Sequence, residues 1–171
     1  MIIRPLCADD LHPDLFSDFR HEQHWTRQWI STESGWQLQP VSCSRHWDAE
    51  KRCWLPRYLQ EQLDRGGQVF GAFSGDRLVG FTAVDGTVIS SYAALSILFV
   101  EDDRKRQGIG HALLTQAAAA AKTLGAKKLF IPAIPSRETV AFYFASGCRD
   151  AQVIIPDFLD TDEDRCLELP L

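Results

Sequence analysis

The sequence predicts an α/β (α+β) domain over residues 1–171, a mixed central sheet of six to seven strands flanked by helices. Three stretches carry that prediction. Residues 94–114, ALSILFVEDDRKRQGIGHALL, pass from a short apolar run through a charged turn and two glycines into a helix-forming run. Residues 68–84 alternate about Gly75-Asp76 as a hairpin does. From residue 127 onward, strand-like and helix-like runs follow one another at short spacing.

Taken in order, residues 1–5 read as a first strand, and Asp9-Asp10 predicts the cap of a helix over residues 11–20. Trp25 and Trp29, four apart, predict a short amphipathic helix over residues 21–30. Gly35 and Pro40 then predict a loop over residues 31–44. Residues 48–64 read as a helix with Trp54, Tyr58, Leu59 and Leu63 near one stripe, and Pro56 predicts a kink or a break in it. After Gly66-Gly67 the pattern turns to strands: 68–74, 77–84 with a run at 87–91 that extends it or begins a bulge, and 95–100. The helix over 108–124 places Leu113, Leu114, Ala117, Ala118, Ala121 and Leu124 at helical spacing, and Gly125 supplies its stop. A strand over 127–134, a helix over 136–146 ended by Gly147, and strands over 151–155 and 166–169 complete the chain. An acidic connection over 156–165 joins the last two.

Composition narrows the classes. The formal net charge of −5 argues against general nucleic-acid binding, which demands basic surface. No apolar run approaches the length of a membrane span, and the opening MIIRPL lacks the plan of a signal peptide. The five cysteines, Cys7, Cys43, Cys53, Cys148 and Cys166, are odd in number and scattered, which argues against a disulfide framework or a zinc site. A reducing cytoplasm is the expected location.

The chemistry centres on the glycine turn. The first N–H groups of a helix have no intrahelical partner and carry partial positive charge, so a helix entered through glycines can approach a phosphate closely. Lys105 and Arg106 add charge beside Gly108 and Gly110, and the stretch reads as a pyrophosphate cradle. A P-loop would need Lys and Ser or Thr where His111-Ala112 stand, and a dinucleotide fingerprint would need glycine at Leu113. Lys105-Arg106-Gln107-Gly108-Ile109-Gly110 instead resembles the Arg/Gln-x-x-Gly-x-Gly/Ala loop that binds acetyl-CoA in the GNAT superfamily of N-acyltransferases, with Lys105 departing from the usual first residue. A second stretch, Ser136 to Cys148, resembles the family's Asn-x-x-Ala-x-x-Phe-Tyr-x-x-x-Gly-Phe signature. Phe142, Tyr143 and Gly147 are in place; Ser136 stands for Asn and Cys148 for Phe.

That resemblance covers nearly the whole chain and implies the GNAT fold, in which two central parallel strands, here ending near Val100 and Ile134, splay apart. It implies acetyl-CoA as cosubstrate, its pantetheine arm against Leu98, Phe99 and Val100 and its diphosphate on residues 105–110. A backbone N–H near Leu98 or Phe99 would stabilise the oxyanion. It implies that Tyr143 protonates the departing thiolate, a phenol of pKa about 10 facing a thiol near 8.5. Ser136 is first an N-cap, and CoA contact is its second reading. His111 reads as an exposed first-turn residue.

The acceptor side is less legible. The glutamate that many relatives place before the loop falls here at Ala94, which cannot act as a base. Asp85, His21, His24 and His46 are substitutes, and a water chain would also serve; the sequence does not choose among them. All five tryptophans lie between residues 25 and 54, either as an aromatic acceptor pocket or, for at least three, as packing. Asp157, Asp160, Asp162, Glu163 and Asp164 offer either attraction for a cationic amine or a solvated loop. The expected function is direct acetyl transfer in a ternary complex to a small-molecule, cationic, or peptide amine, with no nucleic-acid, membrane or metal partner. Homodimers are common in the family. The alternative is a non-catalytic acyl-CoA-binding sensor of the same fold, favoured by Ala94 and opposed by Tyr143.

Overall fold

The computed structural model describes residues 1–159 and 161–171. Its strands are β1 (Ile2–Leu6), β2 (Glu22–Thr32), β3 (Gly35–His46), β4 (Gln68–Ser74), β5 (Arg77–Ile89), β6 (Tyr92–Val100), β7 (Lys128–Ala133), β8 (Arg149–Asp150) and β9 (Arg165–Pro170). Its helices are α1 (Ala49–Asp64), α2 (Ile109–Thr123) and α3 (Arg137–Ala145). Seven strands form one sheet in the order β1-β4-β5-β6-β7-β9-β8, while β2 and β3 form a separate two-stranded sheet that touches Ser136 through an isolated bridge at Gln28. Within the described sheet, β6 and β7 are the parallel pair and the other pairings are antiparallel.

Each face of the sheet carries its own apolar cluster. On one, α2 turns Ile109, Leu113, Leu114, Ala117, Ala120 and Ala121 inward, and its alanines let the helix lie close to the strands. On the other, Leu55 and Leu59 of α1 pack with Phe16, Phe19, Trp47 and Phe81. The helix α1 is capped by Asp48, whose Oδ1 accepts from the Lys51 N–H at 2.8 Å. It runs through Pro56 as one helix, so the chain does not break there.

Four expectations fail, each for a local reason. The helix over residues 11–20 is replaced by 3-10 turns at Ala8–Asp10 and Pro13–Phe16. Pro13 holds His12 extended, which stops a helix from forming across it. The helix over 21–30 and the loop over 31–44 are instead the two strands of a long hairpin, β2 and β3. A spacing of four satisfies a period of 2 as well as 3.6, so Trp25 and Trp29 share a strand face as readily as a helix face. Thr26, Ile30, Thr32 and Val41 add the β-branched side chains that favour strands. Finally, no strand forms over 151–155. Pairing with β9 stops at Asp150, Val153 and Ile154 are exposed, and Ile155 is buried before Pro156 opens a 3-10 turn.

The feature that positions the site is the partial pairing of β6 with β7. It covers Tyr92↔Lys128, Ala93↔Leu129 and Ala94↔Phe130 and goes no further. Just beyond, β6 carries a bulge: Ala83 faces Ile97 and Val84 faces Leu95, leaving Ser96 as the extra residue. Helix α1 holds it there, since the Ser96 hydroxyl donates to Gln62 Oε1 (2.9 Å) and the Tyr58 hydroxyl donates to the Ser96 carbonyl (3.3 Å). The closed end is pinned by a buried carboxylate. Glu168 on β9 accepts from Tyr92 (2.6 Å), from Lys128 (3.0 and 3.1 Å), from Arg149 (2.9 Å) and from the Gln152 N–H (3.2 Å).

Burial alone would raise the Glu168 pKa; the four donors outweigh it and hold the group down at about 2. Because the folded carboxyl titrates below its ordinary 4.5, its contribution is complete above about pH 5 and disappears as pH falls toward 2. Glu168→Gln leaves Lys128 and Arg149 without their counter-charge. It is expected to cost roughly 3 kcal/mol in a denaturant titration at pH 7. The difference from wild type should shrink in acid.

Candidate active site

The gap between β6 and β7 continues into a cleft of about 1000 Å³. The backbone of β6 supplies its first functional groups. The Glu101 N–H donates to the Val79 carbonyl at 3.0 Å, and the register continues as Gly80↔Val100, Phe81↔Phe99 and Thr82↔Leu98. Backbone polar groups alternate sides along a strand, so those of Phe99 face β5 while those of Leu98 and Val100 face the opening. Leu98, Phe99 and Val100 all line the cleft, but it is Leu98 and Val100 whose amides are free to pair with something inside it.

At one mouth stands the glycine turn. Arg106 and Gly108 both take positive φ (61° and 83°), the second as the N-cap of α2. Such alternation turns successive N–H groups toward one point and makes an anion-binding concavity. The Ala112 N–H is already bonded to the Gly108 carbonyl (3.0 Å), so the donors left for a ligand belong to residues 108–111. A Cβ on Gly110 would lie 3.3 Å from the Phe142 ring and 3.7 Å from Val100, so any larger group fills the cradle. Lys105, Arg106, Gly108, Gly110 and His111 line this mouth. The remaining predicted residues serve it from outside. Ile109 is buried and anchors the helix, and the Gln107 amide donates to the Asp103 carbonyl at 3.1 Å. Ser136 is fully buried as the N-cap of α3, accepting from the Thr139 N–H at 3.1 Å, and does not line the cleft.

Tyr143 comes from α3 and reaches the same cleft from the α2 side of the sheet. Burial raises its pKa far above the ordinary value, so the phenol is protonated at any working pH. Cys148 beside it is pushed up to about 12 by the same burial, which keeps it an inert thiol.

The other mouth is built by the hairpin, which the sequence reading missed. Gln23, His24, Trp25 and Arg45 from β2 and β3 face Lys51, Trp54 and Tyr58 of α1 across it. The Trp54 and Tyr58 rings stack at 4.4 Å. The hairpin is tied to the body by the Trp29 N–H donating to the Pro135 carbonyl (2.8 Å) and by Arg165. The Arg165 guanidinium lies 4.9, 4.8 and 5.1 Å from the rings of Trp29, Trp36 and Phe144, and it is bonded twice to Asp150 (2.7 and 2.9 Å). Trp29, Trp36 and Trp47 are therefore packing residues, while Trp25 and Trp54 line the cleft. The β-branched Thr26, Ile30, Thr32 and Val41 were the available signal for this hairpin. Of the acidic connection, Asp164 lines the cleft and burial raises its pKa; Asp160 lies outside the described residues. Among candidate bases, Asp85 is paired with Arg65 (3.6 Å) away from the cleft, His46 does not line it, and His21 and His24 do.

A mixed sheet opened at its centre, with an anion cradle at one mouth and an aromatic wall at the other, is the architecture of an acyl-transfer domain. The chain belongs to the GNAT acetyltransferase family: the model of the acetyltransferase (GNAT) domain matches residues 44–152. No curated protein matches it in sequence. Among solved structures it is similar to nourseothricin acetyltransferase, at 16% identity over 99% of this chain and 97% of that one, with a TM-score of 0.70. It is also similar to a putative streptothricin acetyltransferase from Bacillus anthracis str. Ames in complex with acetyl coenzyme A (17% identity, 99% and 98% covered, TM-score 0.72). An aminoglycoside 6'-N-acetyltransferase complexed with coenzyme A gives 15% identity, 99% and 97% covered, and a TM-score of 0.64. At these identities the likeness is one of fold.

Thiol accessibility tests the packing around Tyr143. A disulfide reagent at pH 8 should titrate the exposed Cys7 and Cys53 rapidly in the native protein and reach Cys148 only on unfolding. Rapid native modification of Cys148, mapped by mass spectrometry, would contradict the burial described.

Proposed function

We propose that this protein is an acetyl-CoA-dependent N-acetyltransferase that acts by direct transfer in a ternary complex, with a primary amine of a small cationic molecule as acceptor. The observation that carries this reading is the convergence of three parts in one cleft: the glycine cradle, the unpaired amides of Leu98 and Val100, and the Tyr143 side chain. The CoA diphosphate would sit on the N–H groups of residues 108–111 with Lys105 and Arg106 beside it, and the pantetheine amides would pair with β6. The Leu98 N–H is then the fixed donor for the thioester oxygen as it gains charge.

In the step itself, the lone pair of the neutral amine forms a bond to the acetyl carbon, the C–S bond breaks, and sulfur leaves with the bonding pair. Tyr143 donates its proton toward that sulfur and is restored by the proton that the attacking nitrogen sheds as it becomes the amide. Burial favours the neutral form of a thiol as it does that of the phenol, so desolvation in the cleft acts on donor and departing thiolate in the same direction. Glu22, Glu138 and Asp164 at the acceptor end favour a cationic ligand, with Arg45 and Lys51 setting where its charge can rest. The named acceptors of the relatives, streptothricin and aminoglycosides, are amines of this kind.

Calorimetry with acetyl-CoA is the first test. Wild type should bind, and Gly110→Trp should not; a wild type that fails to bind overturns the reading. A thiol-release assay against a panel of streptothricin-class, aminoglycoside and polyamine acceptors, with peptide amines alongside, then identifies the acceptor. Tyr143→Phe should lower kcat by roughly 10²-fold while leaving acetyl-CoA affinity near that of wild type.

A further inference from the structure

A second cavity of about 830 Å³ lies on the α1 side of the sheet, lined by charged and polar groups that include Arg20, Arg52, Arg77, His46, Asp102 and Asp103. It shares two residues with the cleft, His21 and Glu22. His21 is 8% exposed, its ring wedged 4.6 Å from that of Phe99 and 4.8 Å from that of Trp47. Its Nδ1 is buried with no hydrogen-bond partner among the described residues. An aromatic niche of this kind normally takes a phenylalanine; an imidazole there, unpartnered and in contact with two cavities, needs another explanation.

We infer that His21 is the general base of the transfer, taking a proton from the acceptor ammonium in the cleft and releasing it to water in the second cavity. This rests on the transferase reading above. Its position fits the chemistry. Phe99 carries His21 on the face opposite Tyr143, and the next residue back along β6 is Leu98, whose amide faces the acetyl site. The base therefore meets the incoming amine on one side of the opened sheet while the acid meets sulfur on the other. The proton balance closes: the ammonium loses one proton to imidazole, the amine attacks, Tyr143 donates to the thiolate and regains the nitrogen's second proton as the amide forms, and imidazolium passes its proton to the second cavity.

The charged groups facing His21 link the base to cosubstrate binding. Burial first, then Lys105 of the cradle and Lys51 of α1, hold its pKa down at about 4, against the opposing pull of Asp102. Its chain neighbours Arg20 and Glu22 and the cavity's Asp18, His46, Arg52, Arg77 and Asp103 make up the rest of the charged surroundings. In the free protein the ring is neutral, the form that can accept a proton. A diphosphate beside Lys105 opposes that lysine's field, so His21 becomes a stronger base only when acetyl-CoA is in place.

The test compares wild type with His21→Phe, which keeps the aromatic packing, and His21→Gln. Both should bind acetyl-CoA as wild type does by calorimetry, lose about 10²–10³-fold in kcat/KM for the acceptor, and recover part of the loss with added imidazole. NMR titration of wild type should show His21 neutral at pH 6 and its pKa rising on addition of CoA. A variant that binds acetyl-CoA and turns over at the wild-type rate overturns the assignment and leaves the transferase reading standing. So does a His21 resonance that CoA does not move. A wild type that binds acetyl-CoA but acetylates no amine in the panel overturns both.

Discussion

The site depends on one parallel strand pair that closes at one end and stays open at the other. Three residue pairs join β6 to β7. At their foot, Glu168 gathers Tyr92, Lys128, Arg149 and the Gln152 amide into one buried cluster, linking four strands through a single carboxylate. Above them, Ser96 bulges out of β6 and is held by Gln62 and Tyr58 of α1. Unpaired strand amides on a surface invite aggregation. Here the same groups line an enclosed cleft, where they can be satisfied by an extended ligand.

The opened sheet also divides the chemistry between its faces. The cradle, Tyr143 and Cys148 belong with the cluster under α2. His21, Trp47 and Phe99 belong with the cluster under α1, together with the second cavity. A cosubstrate and an acceptor entering from the two mouths would meet at the level of Leu98, the residue whose amide points into the gap. The hairpin β2–β3 completes the aromatic wall of the cleft without joining the main sheet. It relies on Arg165, whose planar guanidinium is held between indole rings and doubly bonded to Asp150.

Much of the cradle half was legible because it is local. The turn from Val100 to Gly110, the helix after it and the capping of α3 by Ser136 are set by glycines, an apolar stripe and a hydroxyl within a few residues of one another. The acceptor half was not. Trp25 and Trp29 satisfy helix and strand periodicity equally, and the choice falls to Cys43, Leu38 and the rest of a partner strand that lies about ten to twenty residues away. The missing strand over 151–155 has the same origin: after the Ala151 N–H bonds the Cys166 carbonyl, the Gln152 N–H turns to the distant Glu168 carboxylate and the ladder with β9 ends.

Sequence by itself therefore pointed to the family, the mixed sheet and the glycine turn, which rest on short local stretches of the chain, and singled out Tyr143 within one of them. Tertiary structure alone decided what those motifs enclose. It put the amides of Leu98 and Val100, and not that of Phe99, into the gap, because strand register fixes which way each N–H points. It assigned Trp29, Trp36 and Trp47 to packing and Trp25 and Trp54 to the cleft. It also set His21 between two cavities, beside a lysine more than eighty residues away, a juxtaposition that only the folded chain creates.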